Sequence, residues 1–323
     1  MRQVILPGAD HSTTSLGFGC AYIAGGFETS NNVRLVLAAY DAGIRHFDVA
    51  PLYGLGTAEN VLGRSLRGKR QSVTIATKVG IGRPASSRIR SLIRVSTGPI
   101  RHAIRRFRTP EVTETSPELA PATDFSALSV SASLEESLRR LQTDYVDLLL
   151  LHEVRLSDLT HELLTLLDKQ RQLGAFRALG LATGPADITE IAREHPAAFD
   201  VFQCRWSVLD WRQKLPSGAR LMVTHRAVLR AFVPLKRWLS ADSAARGRLE
   251  AVTAQDLKDD RILSRLLIGA ALAANPTGIV LAASRRKNRV IGNASVAQDE
   301  KIIAAGAQLA QALTHEPYCP YPV

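Results

Sequence analysis

Four polar side chains stand where short apolar runs of this chain end. Asp48 closes the run 44–48, and Tyr53 follows it in His46-Phe47-Asp48-Val49-Ala50-Pro51-Leu52-Tyr53-Gly54; Lys78 ends the run 73–78 and His152 the run 145–152. Taken singly, each has an ordinary structural use: helix cap, packing ring, surface lysine, hydrogen-bonded histidine. At the ends of three consecutive strands they bring a carboxylate, a phenol, an ammonium and an imidazole to one rim. That set can do acid–base chemistry on a carbonyl. A phenol with an ordinary pKa near 10 is a poor proton donor at neutral pH, but a cation within about 4 to 6 Å stabilises its phenolate and lowers that pKa. Lys78 is the candidate cation, Asp48 the group that holds it, and His152 the donor that orients a carbonyl oxygen. Tyr53 is then the general acid, a role that supplies roughly 10² to 10⁴ in rate. None of the four carries a hydride, so a reduction needs a nicotinamide cofactor.

The elements that must position these residues show as an alternation. Eight β-branched or leucine-rich runs, 16–20, 44–48, 73–78, 145–152, 176–183, 199–204, 221–225 and 278–284, read as strands. Helical patterns at 33–42, 58–66, 127–141, 159–173, 188–194 and 262–274 separate most of them. Asn32 and Asp158 stand as N-caps, with Gly43 and Gly174 where helices stop. The run Val146-Asp147-Leu148-Leu149-Leu150-Leu151 is apolar enough for a parallel strand buried on both faces. Repeated strand–helix units of this number predict a (β/α)₈ TIM barrel, with a doubly wound sheet as runner-up. The whole chain, 1–323, reads as one barrel domain. Two connections are too long for the bare scheme: 79–125 after the third strand and 226–261 after the seventh are expected to be loop insertions on the catalytic face.

Composition narrows the class. The 323 residues are 46% hydrophobic and 22% charged, which suits a large core and excludes a disordered or fibrous chain. The longest apolar stretch, 266–283, is broken by Asn275-Pro276-Thr277, and the first ten residues lack a secretory apolar core, so a cytoplasmic location is expected. Cys20, Cys204 and Cys319 are odd in number and have no metal-ligand spacing, which points to reduced structural thiols. Much of the net charge of +11 is local: eight arginines lie between Arg83 and Arg108, with no acid from 81 to 110. That segment is expected to be a solvated arm over the rim, adding positive potential there, rather than a nucleic-acid site.

The motifs taken together resemble the aldo-keto reductase family. They are Leu16-Gly17-Phe18-Gly19, Gly43-Ile44-Arg45-His46-Phe47-Asp48 running on to Tyr53-Gly54, Glu59-Asn60-Val61-Leu62-Gly63, and Ala76-Thr77-Lys78. Ser137-Leu138-Arg139-Arg140-Leu141, Asp144-Tyr145-Val146-Asp147, Leu151-His152 and the stretch from Ser284 continue the series. The resemblance implies a (β/α)₈ barrel that binds NAD(P)(H), with Asp48, Tyr53, Lys78 and His152 as catalytic tetrad. It also implies cofactor contacts from Thr183, Gln203 at a carboxamide-binding position, and His225 where an aromatic ring commonly stacks on the nicotinamide. Ser284, Arg289 and Asn293 fall where relatives contact the adenosine phosphate and adenine, and Arg285 is a further candidate in the same basic run. No Gly-x-Gly-x-x-Gly follows an early strand, which disfavours a Rossmann domain, and the basic run 284–289 opens a helix where barrels often bind phosphate. Departures from the family pattern are Ala182-Thr183 in place of Ser-Asn, Gly292 in place of an acid, and Ala283 in place of a lysine.

The preferred reading is an NADP(H)-dependent reductase of small aldehydes or ketones, with NAD(H) as the alternative cofactor. The second is an NAD(P)-dependent aldose or alcohol dehydrogenase, which Lys78-Val79-Gly80 and His152-Glu153 resemble somewhat. The third, motivated by the arginine-rich stretch, is a non-catalytic regulatory or nucleic-acid-binding barrel. Tyr22, Trp206, Trp211, Phe232 and Trp238 follow strands and are candidates to line a substrate pocket. The tail 315–321 is a candidate cover for the barrel mouth.

Overall fold

Strands that are apolar on both faces need cover on both sides, and the chain provides it by closing the sheet on itself and wrapping it in helices. The computed structural model describes residues 1–8, 12–25, 29–82, 122–210 and 216–316. Among them, β1 (Gln3–Ile5) and β2 (Ser12–Thr14) form an antiparallel hairpin. The barrel follows: β3 (Leu16–Gly19), β4 (His46–Asp48), β5 (Thr74–Val79), β6 (Val146–His152), β7 (Phe176–Ala182), β8 (Val201–Arg205), β9 (Leu221–His225) and β10 (Ile279–Ala282). Each strand pairs in parallel with the next, and β10 pairs with β3 to close the ring. The described helices are α1 (Thr29–Asp41), α2 (Ala58–Ser65), α3 (Ala127–Leu141), α4 (His161–Gln172) and α5 (Pro185–Glu194) in the first half. The second half adds α6 (Ala227–Ala241), α7 (Ser243–Thr253), α8 (Asp260–Ala274), α9 (Lys287–Val296) and α10 (Glu300–Leu313).

Strand alternation splits the core in two. Ala76, Leu148, Leu150, Ala178, Ala182, Val201, Leu221, Val223, Ile279 and Leu281 fill the barrel, together with Val4 and Leu6 of the hairpin region. Residues of opposite parity, such as Leu149, Leu151, Leu179 and Leu181, pack outward with the helices. Gly17 allows His46 into this interior, since a Cβ there would stand 2.8 Å from the imidazole Cδ2.

The eight strands fall where the sequence places them, within two residues at each end. Three local expectations need correction. The segment 226–261 is mostly helical: α6 buries Ala227, Ala231, Leu235 and Leu239 at a spacing of one helical turn, and Asp242 caps α7 by accepting from Ala245 N at 2.8 Å. Pro234 inside α6 is a helix-breaker by type and masks that period. Asn32 is not an N-cap, because α1 begins at Thr29; its buried amide instead donates to the Ala24 carbonyl at 2.7 Å. Asp158 is replaced as the α4 cap by Thr160, whose hydroxyl accepts from Leu163 N at 3.2 Å. Gly43 and Gly174 do follow helices with positive φ, at 91° and 79°.

Past the bridge of Ile81 with Thr123, the expected insertion 79–125 lies largely outside the described residues, and with it all of the arginine-rich arm Arg83–Arg108. Trp211, Cys319 and the tail from 317 lie outside them too. Cys20 and Cys204 are buried free thiols. Among the described residues, no helix is long and apolar enough to cross a membrane.

Candidate active site

Parity brings the polar strand ends together. Ala76, Leu150, Val201 and Val223 face the barrel interior, so Lys78, His152, Gln203 and His225, two residues further on, share that side at the carboxyl ends of their strands. Asp48 ends β4 in register with Gly19 and Ala76. Lys78 Nζ donates to both carboxylate oxygens of Asp48 at 2.7 Å and to the Val49 carbonyl at 3.1 Å. Both side chains are almost fully buried, at 2% and 4% exposure. Gln203 Nε2 donates to Asp48 Oδ2 at 3.1 Å from the far side of the barrel.

Tyr53 arrives on the turn after β4. Its N–H closes on the Ala50 carbonyl at 3.0 Å, and Gly54 then takes φ 59°, where a Cβ would collide with the Ile23 carbonyl oxygen. Only glycine fits there, and it sets the phenol over the pair. Lys78 Nζ lies 5.2 Å from the Tyr53 ring centre, and the His152 ring stands edge-on to Tyr53 at 6.4 Å and 90°. All four residues expected to do chemistry therefore meet in one place.

Electrostatics sharpen the roles. Burial works to lower the Lys78 ammonium, but Asp48 and Tyr53 outweigh it and hold Lys78 above its ordinary value, hence charged. Burial raises the Tyr53 phenol; Lys78 pulls it down, as its position requires, without reversing the sign. The expectation of a lowered phenol pKa is thus corrected for the protein without ligand: the cation acts in the foreseen direction, but desolvation wins. Burial, then Lys78, drives His152 down to about 3, so it is neutral at physiological pH. His225, half-buried at the end of β9, is likewise driven to about 4 by burial and Arg226.

The remaining expected positions spread along the same mouth. Thr183 is buried just past β7. Ser284 follows β10 and accepts from Arg286 N at 3.1 Å, and α9 starts at Lys287 with no side-chain cap. Its first amides are therefore available to an anion beside the exposed Arg285, Arg286 and Arg289, with Asn293 one turn on. Arg285 also lies over the Tyr22 ring at 5.1 Å. Of the suggested pocket aromatics, Tyr22 is partly exposed at this mouth, Trp206 is buried in the core, and Phe232 and Trp238 pack from α6 against the core. Sequence reasoning missed the Gln203–Asp48 bond, which joins strands 155 positions apart. It read Cys20 as a structural thiol but missed its place near Asp48 and Lys78, where burial pushes it well above its ordinary pKa.

A sequence profile described as the Aldo/keto reductase family matches residues 15–217. The D-threo-aldose 1-dehydrogenase of Pseudomonas sp is 31% identical over 205 residues, which are 61% of this chain and 58% of that protein's length. The L-galactose dehydrogenase of Arabidopsis thaliana is 26% identical over 317 residues, 92% of this chain and 85% of that one. Among solved structures, an aldo-keto reductase from Klebsiella pneumoniae in complex with NADPH superposes with TM-score 0.67 at 20% identity, covering 100% of this chain and 97% of its own. The glycerol dehydrogenase of Gluconobacter oxydans gives TM-score 0.66 at 23% identity, covering 99% and 98%. At those identities the structures establish a shared fold.

Proposed function

The chain belongs to the aldo/keto reductase family, and from that membership we propose that it is an NAD(P)(H)-dependent oxidoreductase reducing a small aldehyde or ketone to the alcohol. The carrying observation is the Lys78–Asp48 pair at 2.7 Å beneath the Tyr53 ring, with neutral His152 edge-on to that ring.

The mouth fits a nicotinamide cofactor. Gln203 Oε1 is a buried acceptor with no partner, suited to a primary amide, and the free amides of α9 with Arg285, Arg286 and Arg289 suit a phosphate. In this reading Thr183 and His225 would bound the nicotinamide ring, and Ser284, Arg289 and Asn293 would hold the adenosine end. NADP(H) is favoured over NAD(H) because three arginines stand at that end. When bound, the cofactor supplies the hydride. This chain's own residues manage the proton. Burial keeps Tyr53 protonated and ready to donate to the carbonyl oxygen, while Lys78, held charged by Asp48, steadies the phenolate that remains. His152, neutral, can offer a hydrogen bond to the same oxygen without competing as an acid.

A second reading runs the same site toward oxidation of an aldose or alcohol. It is favoured by two relatives, an aldose dehydrogenase and a galactose dehydrogenase. Steady-state assays in both directions, with NADPH, NADH, NADP⁺ and NAD⁺ and panels of aldehydes, ketones and sugars, decide between them. Faster reduction with NADPH supports the first reading and faster sugar oxidation the second. No turnover with any pair, together with salt-sensitive nucleic-acid binding, would overturn both.

A further inference from the structure

The amino ends of the strands, opposite the mouth, carry an excess of positive charge. Asp147 on β6 is shared by Arg70 at 2.8 Å and Arg177 at 3.7 Å, and Asp200, just before β8, by Arg171 at 3.0 Å and Arg220 at 3.6 Å. Each carboxylate offsets one of its two guanidiniums. The two trios adjoin, since a Cβ at Gly8 would stand 2.8 Å from the Arg177 carbonyl oxygen and 3.7 Å from Arg171 Nη2. Arg2, Arg45, Arg67 and Lys69 add cations on other connections into the strands, where Asp144 is the one further carboxylate among the described residues. A cation in the last turn of a helix, such as Arg171, answers the helix dipole, but Arg2 and Arg220 stand on no helix. Two aliphatic side chains lie bare on the same end. Val4 and Leu6 plug the barrel, so Ile5 between them points the other way and is 79% exposed. Leu173, two residues past Arg171, is 71% exposed.

We propose that this end of the barrel docks on an anionic lipid surface, with its guanidiniums at the lipid phosphates and Ile5 and Leu173 entering the headgroup layer. Each basic side chain held near such a surface strengthens binding roughly fivefold, and aliphatic side chains at headgroup depth add to it. A fluid bilayer asks for no matching shape. Spread cations with two separate aliphatic residues therefore suit it better than a folded protein partner, which needs one closely packed patch. Nucleic acid would use aromatic rings for stacking, yet the Tyr40 and Tyr145 rings at this end are covered by Arg45 at 4.1 Å and Arg70 at 3.9 Å. The mouth lies at the other end of the barrel axis, so docking leaves it facing solvent.

The test is co-sedimentation of the full chain with phosphatidylcholine vesicles, with and without about 30% phosphatidylserine. Binding to the anionic vesicles should be at least about tenfold tighter than to the neutral ones, and the difference should shrink as NaCl rises from about 0.05 to 0.5 M. Ile5→Ser together with Leu173→Ser should weaken anionic-vesicle binding by about tenfold or more. Arg67→Gln together with Arg220→Gln should weaken it by roughly fivefold per charge removed. All four side chains are exposed, so the melting temperatures of both variants should stay close to that of the wild type. Equal binding to neutral and anionic vesicles, or none to either, overturns the proposal. Binding that the Ile5 and Leu173 changes leave intact also overturns it, and moves the interaction to another basic surface such as the segment Arg83–Arg108. Tighter binding to a DNA duplex than to anionic vesicles at the same salt would overturn it in favour of nucleic acid.

Discussion

Two of the ion pairs among the described residues stand at opposite ends of this barrel, and their partners differ. At the mouth, Lys78 and Asp48 are held by each other, by the side chain of Gln203 and by a single main-chain group, the Val49 carbonyl. At the closed end, Asp147 accepts from Ile75 N at 2.8 Å as well as from Arg70 at 2.8 Å. Arg70 also donates to the carbonyls of Val73 and Tyr145, each at 3.0 Å, and stacks at 3.9 Å on the Tyr145 ring. The closed-end pair therefore stitches main chain to main chain across β5 and β6. Buried polar atoms without a hydrogen-bond partner stand near both pairs, Gln203 Oε1 and His152 Nδ1 at the mouth and His46 Nε2 at the closed end. Buried charge tied to backbone holds a fold, whereas buried charge tied to side chains remains available for chemistry.

Changes at the two ends should separate accordingly. The largest stability effect is expected at the closed end: Asp147→Ala strips Arg70 and the Ile75 amide of their acceptor and should cost about 3 to 5 kcal/mol in urea unfolding. Its kcat at a temperature where it remains folded should stay within about twofold of wild type. At the mouth, Asp48→Asn should lower kcat by roughly 10², and similar catalytic losses in the two variants would erase the distinction. A smaller effect concerns the cofactor end. Changing Arg285, Arg286 and Arg289 together to alanine should weaken NADPH binding by at least roughly 10- to 150-fold, the worth of one lost charge-assisted hydrogen bond at about 1.5 to 3 kcal/mol. NADH binding should fall less, because it lacks the extra phosphate, and equal losses in a fluorescence titration would show that these side chains do not read it.

The smallest effect is a pH dependence. His46 sits fully buried at the closed end, its Nδ1 2.9 Å from Thr74 Oγ1, and burial lowers its pKa to about 4. Unfolded, it would titrate near 6.5. Between those values the unfolded chain binds the extra proton, so stability rises with pH across about 4 to 6.5 and is lost on acidification. His152 and His225, at about 3 and 4, add to the same slope from the mouth. His46→Gln should make the acid limb of a Tm-against-pH curve shallower by up to about one proton; an unchanged slope would mean that His46 is already protonated in the fold.

The parts of the molecule legible in the sequence are those set by local pattern. Leu148 to Leu151 read as a strand buried on both faces, and Lys78 and His152 are conspicuous because they end such runs. The meeting of Asp48, Tyr53, Lys78 and His152 followed from strand ends plus one turn. What was not legible depends on distances across the barrel. Nothing local to Gln203 says that it meets Asp48, because that contact is set by how widely the ring closes. The rise in the Tyr53 pKa was missed for the same reason: the charge beside the phenol could be named, but the depth of burial around it could not. In α6 a proline hid a regular period, and β1 and β2 were too short to stand out.

The proposed role of the mouth pair is to serve a proton on Tyr53. Tyr53→Phe removes only that hydroxyl, from a half-buried ring that Gly54 and the turn after β4 continue to hold. Single-turnover reduction by the NADPH-loaded variant should be slower by at least about 10², with NADPH affinity and melting temperature close to those of the wild type. A variant that reduces the carbonyl at near-wild-type rate would contradict the account.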